Sequence, residues 1–402
     1  MLIYFISGLY RIASMASLYG LTFDLEKDGW EKSRGFIKRE ISMPALNEKE
    51  NAQDAVSVIV KISFAGMCGS DRGIWNRVSF KDMIHASLKS EGKSMRILGH
   101  EFTGEVVGAG SMVKTLYNIN VGDPVSGDSH VTCGKCFQCR IGENHVCQDD
   151  KILGISIDGI FAPYVKIPAK NLWVVDPNRV RPEIAAMYDP FGNAVHATTV
   201  TDFRGQRVAV FGCGPIGMFS ILLLRSFGAA KIIAIDVSQK NLEIAKALGA
   251  HETILIQPKT KVNSFDPDPE VTLRIMELTY GKGVDVSLEM AGPNASLMNS
   301  IESTRRGGHV ILFGIKDGDF TIPKFSRVIV KGLTLHAIIG RRIFATWQVA
   351  QRMLSDRSNG IQDKMWSIIM KNGQGTIIPF DSYEPAAFEK KMNEHPKLLF
   401  KF

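Results

Sequence analysis

The sequence predicts an α/β protein of two domains, in which a β-rich domain is followed by a doubly wound parallel sheet. Three observations lead to this fold class. The chain has 402 residues, which is too long for one hydrophobic core. Between about residues 55 and 185, short β-branched runs alternate with Gly, Pro and Asp turn signals. After residue 207, short apolar strands alternate with helical stretches, a pattern typical of a parallel sheet covered by helices.

The composition is that of a globular protein, with 45% hydrophobic and 22% charged residues. No apolar stretch approaches the roughly 20 residues of a membrane span, so we expect no membrane partner. The formal charge of +7 is spread thinly among acids and apolar residues. A solvated surface or attraction of an anionic cofactor explains this charge as well as nucleic acid would.

The first twenty residues are apolar, but they lack the basic start and the long apolar run of a secretion signal. We interpret residues 1–20 as an N-terminal extension. The sequence leaves open whether Met1 or Met15 is the start. Further along, the stretch KDMIHASLKSEGKSMRI at 81–97 separates two β runs, and we expect it to be a surface insertion.

Four cysteines lie within fifteen residues, in CGKCFQCRIGENHVC at 133–147. Their spacing is typical of zinc ligands, and zinc binding rather than disulfide formation favours a reducing compartment, so we expect a cytoplasmic protein. Four thiolates fill a tetrahedral zinc and leave no position for substrate. The predicted role of Cys133, Cys136, Cys139 and Cys147 is therefore to hold a loop in shape.

A second candidate metal site combines Cys68, in AGMCGSD, with His100 and Glu101, in LGHEFTGEV. A thiolate, an imidazole and a carboxylate leave a fourth position open, as catalytic zinc requires. Each residue also has an ordinary structural explanation, because lone cysteines and histidines usually belong to the core. Ser70 could carry a substrate proton outward or brace the turn. Asp189 could be a further ligand, an orienting partner of the proton relay, or a helix N-cap.

A nucleotide site is predicted where the strand RVAVF runs into GCGPIG and then a helix. Gly212, Gly214 and Gly217 form the G-x-G-x-x-G arrangement, in which glycines allow a tight turn and close approach of pyrophosphate to a helix N-terminus. Asp236 follows 24 residues after Gly212, at the end of the next strand. A carboxylate there favours NAD over NADP. Alternatively, these glycines only turn the chain and Asp236 caps a helix. We expect Cys213 to be a small buried residue.

Six motifs, in their order along the chain, resemble those of zinc-dependent medium-chain dehydrogenases. They are AGMCGSD, GHEFTGEVVG, the four-cysteine lobe, DPFGNAVH, GCGPIG and GRRIFATW. The resemblance covers about residues 55–360. It implies a GroES-like catalytic domain at 1–187, with a structural zinc lobe at 130–150, and a Rossmann NAD-binding domain at 188–335. Residues 336–402 would return to the catalytic domain.

Within this superfamily, four stretches resemble those of the L-threonine 3-dehydrogenase family. They are VSGDSHVTCGKC, YDPFGNAVHATT, LEMAG and VKGLTLHAIIGRRIFATW. The resemblance implies oxidation of a small secondary alcohol by NAD, catalytic zinc on Cys68, His100 and Glu101, structural zinc on the four clustered cysteines, and a relay aided by Asp189. It implies homotetramers. It also implies NAD contacts from Ile216, Asp236, Ile315, Ile338 and Ile339. His130 matches a histidine near the family's substrate pocket, or is a hydrogen-bonded loop histidine.

Two positions depart from the family pattern. A histidine usually stands five residues after the zinc cysteine, where this chain has Gly73, and an arginine often stands where it has Asn241. Loss of the histidine keeps open a second function, dehydrogenation of a polyol, sugar or cyclitol. A third hypothesis, a zinc-ribbon-like nucleic-acid module, would require basic and aromatic residues around the cysteines. Only Lys135, Phe137 and Arg140 lie among them.

Overall fold

The computed structural model describes residues 17–257, 266–315 and 320–402. Met15 and most of the predicted extension lie outside these ranges. The strands of the first domain are β1 (Leu18–Asp24), β2 (Ile37–Ile41), β3 (Ser57–Gly66), β4 (Met95–Ile97), β5 (Glu101–Ala109), β6 (Pro124–Gly127), β7 (His130–Val131), β8 (Lys151–Ile152), β9 (Tyr164–Pro168) and β10 (Leu172–Val174). Its helices are α1 (Gly69–Trp75), α2 (Lys81–Glu91), α3 (Val113–Tyr117), α4 (Phe137–Arg140) and α5 (Pro182–Ala185).

The N-terminal prediction was wrong in one respect, because the last residues of the predicted extension form a strand. β1 begins at Leu18 and pairs with both β2 and β4. Leu21 and Phe23 are fully buried. They stand two residues apart, so the pleat of the strand points both into the core. The first domain therefore begins inside the range 1–20.

The prediction of a surface insertion at 81–97 was also wrong. Ile84 and Leu88, one helical turn apart on α2, are fully buried, so this helix covers the core with an apolar stripe. β4 pairs antiparallel with β1, with Ile97 opposite Thr22. The segment is thus an integral part of the first domain.

The main sheet of the first domain has the order β10-β6-β5-β3, with β9 also pairing with β3. β3 and β5 are antiparallel, and their register places Gly66 opposite Glu101. The end of β3 and the start of β5 therefore lie side by side. This register brings the segment around Cys68 next to His100 and Glu101.

The second domain contains a parallel sheet with helices. Its strands are β11 (Arg207–Phe211), β12 (Lys231–Asp236), β13 (Glu252–Leu255), β14 (Val284–Glu289), β15 (Thr304–Leu312) and β16 (Thr334–Ala337). Its helices are α6 (Tyr188–Ala197), α7 (Pro215–Ser226), α8 (Gln239–Leu248), α9 (Pro269–Leu278), α10 (Asn294–Ser303) and α11 (Ser326–Lys331). The order is β13-β12-β11-β14-β15-β16, which reverses direction beside β11, where doubly wound sheets bind dinucleotides. β16 crosses the predicted domain boundary at residue 335. The parallel sheet therefore extends into the segment that was expected to return to the catalytic domain.

The C-terminal segment continues with α12 (Ala345–Ser355), α13 (Ile361–Lys364), β17 (Ile377–Pro379), α14 (Pro385–Glu394) and β18 (Leu399–Lys401). β18 pairs antiparallel with β3, with Leu399 opposite Gly66, and β17 pairs with β18. The last strand of the chain thus lies against the strand that leads to Cys68. Across the three described ranges, no helix has the length and apolar character needed to span a membrane.

Candidate metal and cofactor sites

The structure brings together the three residues predicted to hold a catalytic metal. One potential ligand atom each from Cys68, His100 and Glu101 lies within 4.8 Å of the others. The strand register explains this, and Gly66 makes it sterically possible. A Cβ at Gly66 would lie 2.3 Å from Glu101 Oε2, so only glycine leaves room for this carboxylate.

His100 is oriented from both sides of its ring. Nε2 lies 3.2 Å from Ser70 Oγ, and Nδ1 lies 3.4 Å from Asp71 Oδ1. The other Asp71 oxygen accepts a hydrogen bond from the Cys68 amide at 2.9 Å. Burial alone would lower the pKa of His100, but Asp71 and Cys68 outweigh burial and raise it well above 6.5. A carboxylate behind a metal-binding histidine is the usual outer partner that fixes the ring.

Glu101 has one oxygen engaged and one free. Its Oε2 accepts from Lys397 Nζ, which also donates to Met67 O at 3.0 Å. Both charged side chains are buried. Glu101 Oε1 is a buried atom without a hydrogen-bond partner in the described part of the chain. An unsatisfied buried carboxylate oxygen beside a thiol and an imidazole fits a zinc ion, which binds sulfur, nitrogen and oxygen together.

Asp189 lies outside this group of three ligands. Its Oδ2 is 2.6 Å from an Arg341 Nη2 and accepts a weak bond from the Ser129 amide at 3.3 Å. The N-cap alternative does not hold, because the cap position of α6 is Met187. Its proposed part in a relay remains a prediction.

Arg341 joins Asp189 to a second carboxylate. Its guanidinium donates to Asp128 Oδ2 at 2.9 Å through Nε and to Asp128 Oδ1 at 2.6 Å through Nη2. Trp347 Nε1 donates to Asp128 as well, at 2.9 Å. Burial would lower the pKa of Arg341, but the charges of Asp128 and Asp189 outweigh burial and raise it. This buried cluster connects the C-terminal segment to the first domain beside the metal ligands.

The four clustered cysteines also converge, with one sulfur of each within 4.8 Å of the others. Cys136 Sγ and Cys147 Sγ are 3.9 Å apart, close to the separation of about 3.8 Å that two tetrahedral ligands at 2.3 Å from zinc would have. Hydrogen bonds from backbone amides of Gln148 and Cys139 lower the pKa of Cys136 to about 6. The lobe fits a four-thiolate zinc, and its short helix α4 contains no buried residue.

The glycine turn has the geometry that a dinucleotide requires. Gly212 has φ of 95°, and a Cβ on Gly217 would lie 2.1 Å from Gly212 O. A Cβ on Gly214, at the N-terminus of α7, would meet no heavy atom within 4 Å, so this side of the turn is open. Asp236 Oδ2 accepts from the Cys213 amide at 2.6 Å and Oδ1 from the Ser238 amide at 2.8 Å. Cys213 itself is fully buried.

The other residues predicted to contact NAD follow the carboxyl ends of the strands. Ile315 and Ile339 are 72% and 43% exposed, whereas Ile216 and Ile338 pack against the core of the second domain. Asn241 lies in the first turn of α8, where its backbone N–H donates to Ser238 Oγ at 3.3 Å. The chain thus has a neutral side chain at the position where the family pattern often has an arginine.

Comparison with known proteins identifies the family of both halves of the chain. Residues 54–177 match the alcohol dehydrogenase GroES-like domain, and residues 215–356 match the zinc-binding dehydrogenase domain. An L-threonine 3-dehydrogenase of Caldanaerobacter subterraneus subsp. tengcongensis is 35% identical over 87% of this chain and 91% of its own. The Bacillus subtilis enzyme of the same name is 33% identical over 82% and 86%. The chain belongs to the zinc-dependent alcohol dehydrogenase family.

A solved structure agrees with this membership. The alcohol dehydrogenase TADH from Thermus sp. ATN1 is similar with a TM-score of 0.75 and 25% identity, covering 95% of this chain and 99% of that chain. Membership confirms the predicted fold, an enzyme of the NAD-dependent zinc alcohol dehydrogenase type, and zinc and NAD as its cofactors. An alcohol is its class of substrate.

In this zinc-dependent alcohol dehydrogenase, the position without the usual histidine is closely packed. A Cβ on Gly73 would lie 2.8 Å from both Cβ and Oγ of Ser79. Ser79 therefore occupies the space in which a larger side chain would begin. His130, the candidate pocket histidine, is hydrogen-bonded to Asp150 through Nδ1. Its amide donates to Asp128 at 2.9 Å, so its loop role has clear partners.

Sequence reasoning missed the charged residues around the metal ligands. Asp71 could have been found, because it stands three residues after Cys68 at the spacing of a capping box. Lys397, Arg341 and Asp128 carry no such local signal. They meet the site only through the fold, across about 300 residues in the case of Lys397 and Glu101.

Proposed function

We propose that this enzyme oxidises L-threonine to 2-amino-3-oxobutanoate with NAD as hydride acceptor. The observation that carries the proposal is the set of relatives named L-threonine 3-dehydrogenase, which are 33–36% identical over most of the chain. The dehydrogenation of a polyol, sugar or cyclitol is the alternative. It is favoured by Ser79 packing on Gly73, where the threonine dehydrogenase pattern has a histidine.

In the proposed mechanism, Cys68, His100 and Glu101 hold the catalytic zinc. When bound, zinc supplies a Lewis acid that makes the substrate hydroxyl more acidic, and NAD accepts the hydride. Ser70 is partly exposed, and its hydroxyl lies 3.2 Å from His100 Nε2. It can therefore take a proton at the inner end of a path to solvent. Asp189 and Arg341 close the buried side of the site as an ion pair.

In the proposed cofactor complex, Gly214 at the open N-terminus of α7 would receive the pyrophosphate. Asp236 would accept hydrogen bonds from the adenosine ribose. Ile216 and Ile315 would contact the cofactor, and Ile338 and Ile339 would contact its nicotinamide end. The carboxylate of Asp236 and the neutral Asn241 both favour NAD over NADP, because a 2′-phosphate would meet the negative charge of Asp236 and no positive charge at position 241.

The test is NADH formation by zinc-loaded enzyme with L-threonine and with a matched panel of polyols and sugar alcohols. Turnover with threonine well above that with the panel supports the proposal. Turnover with a polyol and none with threonine would establish the alternative. Cys68→Ala is the control variant, and it should abolish turnover while leaving NADH binding intact. Turnover by Cys68→Ala would show that the metal site is wrongly assigned.

We also propose that the enzyme is a cytoplasmic homotetramer. The cysteine cluster supports a reducing compartment, since zinc binding requires free thiols. β16 lies at one edge of the described parallel sheet, and the neighbouring helix α11 exposes 68% of Ile329 and 64% of Val330. An unpaired strand beside exposed apolar side chains is a typical contact between subunits. Analytical ultracentrifugation would test the assembly, and a monomer at micromolar concentration would contradict it.

A further inference from the structure

The residues from Ile338 to Arg341 form a turn between β16 and the C-terminal segment, here called the 338–341 turn. Its start is held by the Ile338 amide, which donates to Leu312 O at 3.0 Å. Its end is held by the Arg341 side chain, which binds Asp128 and Asp189. The exposed side chain of Ile339 lies between these two fixed points.

Gly340 has a left-handed backbone conformation in this turn. Its φ is 54°, and a Cβ on it would meet no heavy atom within 4 Å. The Gly340 carbonyl accepts a hydrogen bond from His196 Nδ1 at 3.1 Å. Because a carbonyl can only accept, Nδ1 of His196 carries a proton whatever the charge of the ring. His196 therefore fixes the peptide plane between Gly340 and Arg341, one residue after Ile339.

His196 is in turn braced by the cysteine lobe. It is buried near the end of α6, and its ring meets the ring of His145 edge to face, with centroids 5.3 Å apart and planes at 86°. His145 lies in the short helical turn Asn144–Val146, directly before Cys147. Edge-to-face contacts between rings constrain their relative orientation. An unbroken series of contacts thus runs from the cysteine lobe to the 338–341 turn.

We propose that His196, braced by His145, is a positioning residue for the nicotinamide end of NAD. The inference rests on the proposed function, in which Ile338 and Ile339 contact that end of the cofactor. In the proposed complex, other residues bind the adenosine end, namely those of the glycine turn and Asp236. Loss of the hydrogen bond to Gly340 should therefore weaken binding at one end of the dinucleotide only. The proposal also gives the cysteine lobe a role beyond holding its own loop.

ADP-ribose separates the two ends, because it has the adenosine and pyrophosphate of NAD but no nicotinamide. Isothermal titration calorimetry on the zinc-loaded full chain would compare NADH and ADP-ribose for four proteins: the unchanged enzyme, His196→Phe, His196→Asn and His145→Ala. Phenylalanine keeps a ring but has no donor. Asparagine offers an amide N–H at nearly the position of Nδ1. His85→Phe, which changes a ring packed on Phe23 and Trp30, is the matched control.

We expect His196→Phe to weaken NADH binding about ten-fold, as for the loss of one buried hydrogen bond, and to leave ADP-ribose binding unchanged. His196→Asn should restore most of the NADH affinity. His145→Ala should give a smaller loss of the same kind without altering α6. Equal weakening of both ligands, or unchanged NADH binding in His196→Phe, would overturn the inference. Failure of the unchanged enzyme to bind either ligand would instead overturn the proposed function, on which the inference depends.

Discussion

Replacement of Lys397 by methionine should destabilise the metal-free enzyme far more than the zinc-loaded enzyme. Lys397 Nζ is buried and donates to Glu101 Oε2 and to Met67 O. Methionine fills a similar volume but leaves the Glu101 carboxylate buried without its cation. Removing one partner of a buried ion pair typically costs about 3–5 kcal/mol in the free energy of unfolding.

Bound zinc should reduce this cost in the free energy of unfolding, because a divalent cation bound by Glu101 compensates the charge of the carboxylate directly. In the zinc-loaded enzyme, the remaining loss is the hydrogen bond from Lys397 to Met67 O, about 1–2 kcal/mol. The difference of about 2–3 kcal/mol must appear as tighter zinc binding by folded Lys397→Met, by a factor of roughly 30 to 150.

Two measurements test this reasoning. Urea denaturation of metal-free and zinc-loaded protein gives the two losses of stability, and competition with a fluorescent chelator gives zinc affinity. Lys397→Arg keeps the charge and serves as the control, with near-normal zinc affinity expected. Equal destabilisation with and without zinc, at unchanged zinc affinity, would refute the argument and reduce Lys397 to a packing role.

Three other changes have expected outcomes. Cys136→Ser should remove one zinc per chain by metal analysis and lower the thermal midpoint, while the visible absorption of cobalt substituted into the catalytic site persists. Gly73→His should destabilise the enzyme, because its Cβ meets Ser79 at 2.8 Å, and the added substitution Ser79→Gly should recover stability in thermal unfolding. Burial alone would raise the pKa of Asp285, but hydrogen bonds from Arg207 outweigh it and lower this pKa from 3.8 to about 2. The resulting stabilisation is present above about pH 4 and is lost as the pH falls toward 2, so Asp285→Asn should cost stability in urea at pH 7 and little at pH 2.5.

Sequence reasoning succeeded where the chemistry lies in contiguous residues. The cysteine lobe and the glycine turn each lie within fifteen residues, so spacing alone predicted four converging thiols and an open helix N-terminus. Cys68 and His100 are 32 residues apart, and their proximity depends on the register of β3 with β5. The residue types suggested a metal site, and the family resemblance implied that Cys68, His100 and Glu101 form it. The structure brings these three residues together.

The failures have a common physical cause. At 81–97 the position between two β runs suggested a surface insertion, yet Ile84 and Leu88 bury one face of α2, since a helix needs only one apolar stripe. Leu21 and Phe23 similarly bury β1, a strand whose first residues, Leu18 to Gly20, fall within the range interpreted as an extension. In both segments a few correctly spaced apolar side chains outweigh the average character of the sequence.

The charges around the candidate metal site show why the remaining residues could not be predicted locally. The first domain and the start of α6 supply the carboxylates, Glu101, Asp128 and Asp189, all of them buried. The cations that compensate them, Arg341 and Lys397, come from the C-terminal segment. Without those cations the carboxylates would be buried and uncompensated, which is strongly unfavourable. Docking of the C-terminal segment therefore stabilises the observed arrangement in the metal-free enzyme, so formation of the site is coupled to the pairing of β18 with β3.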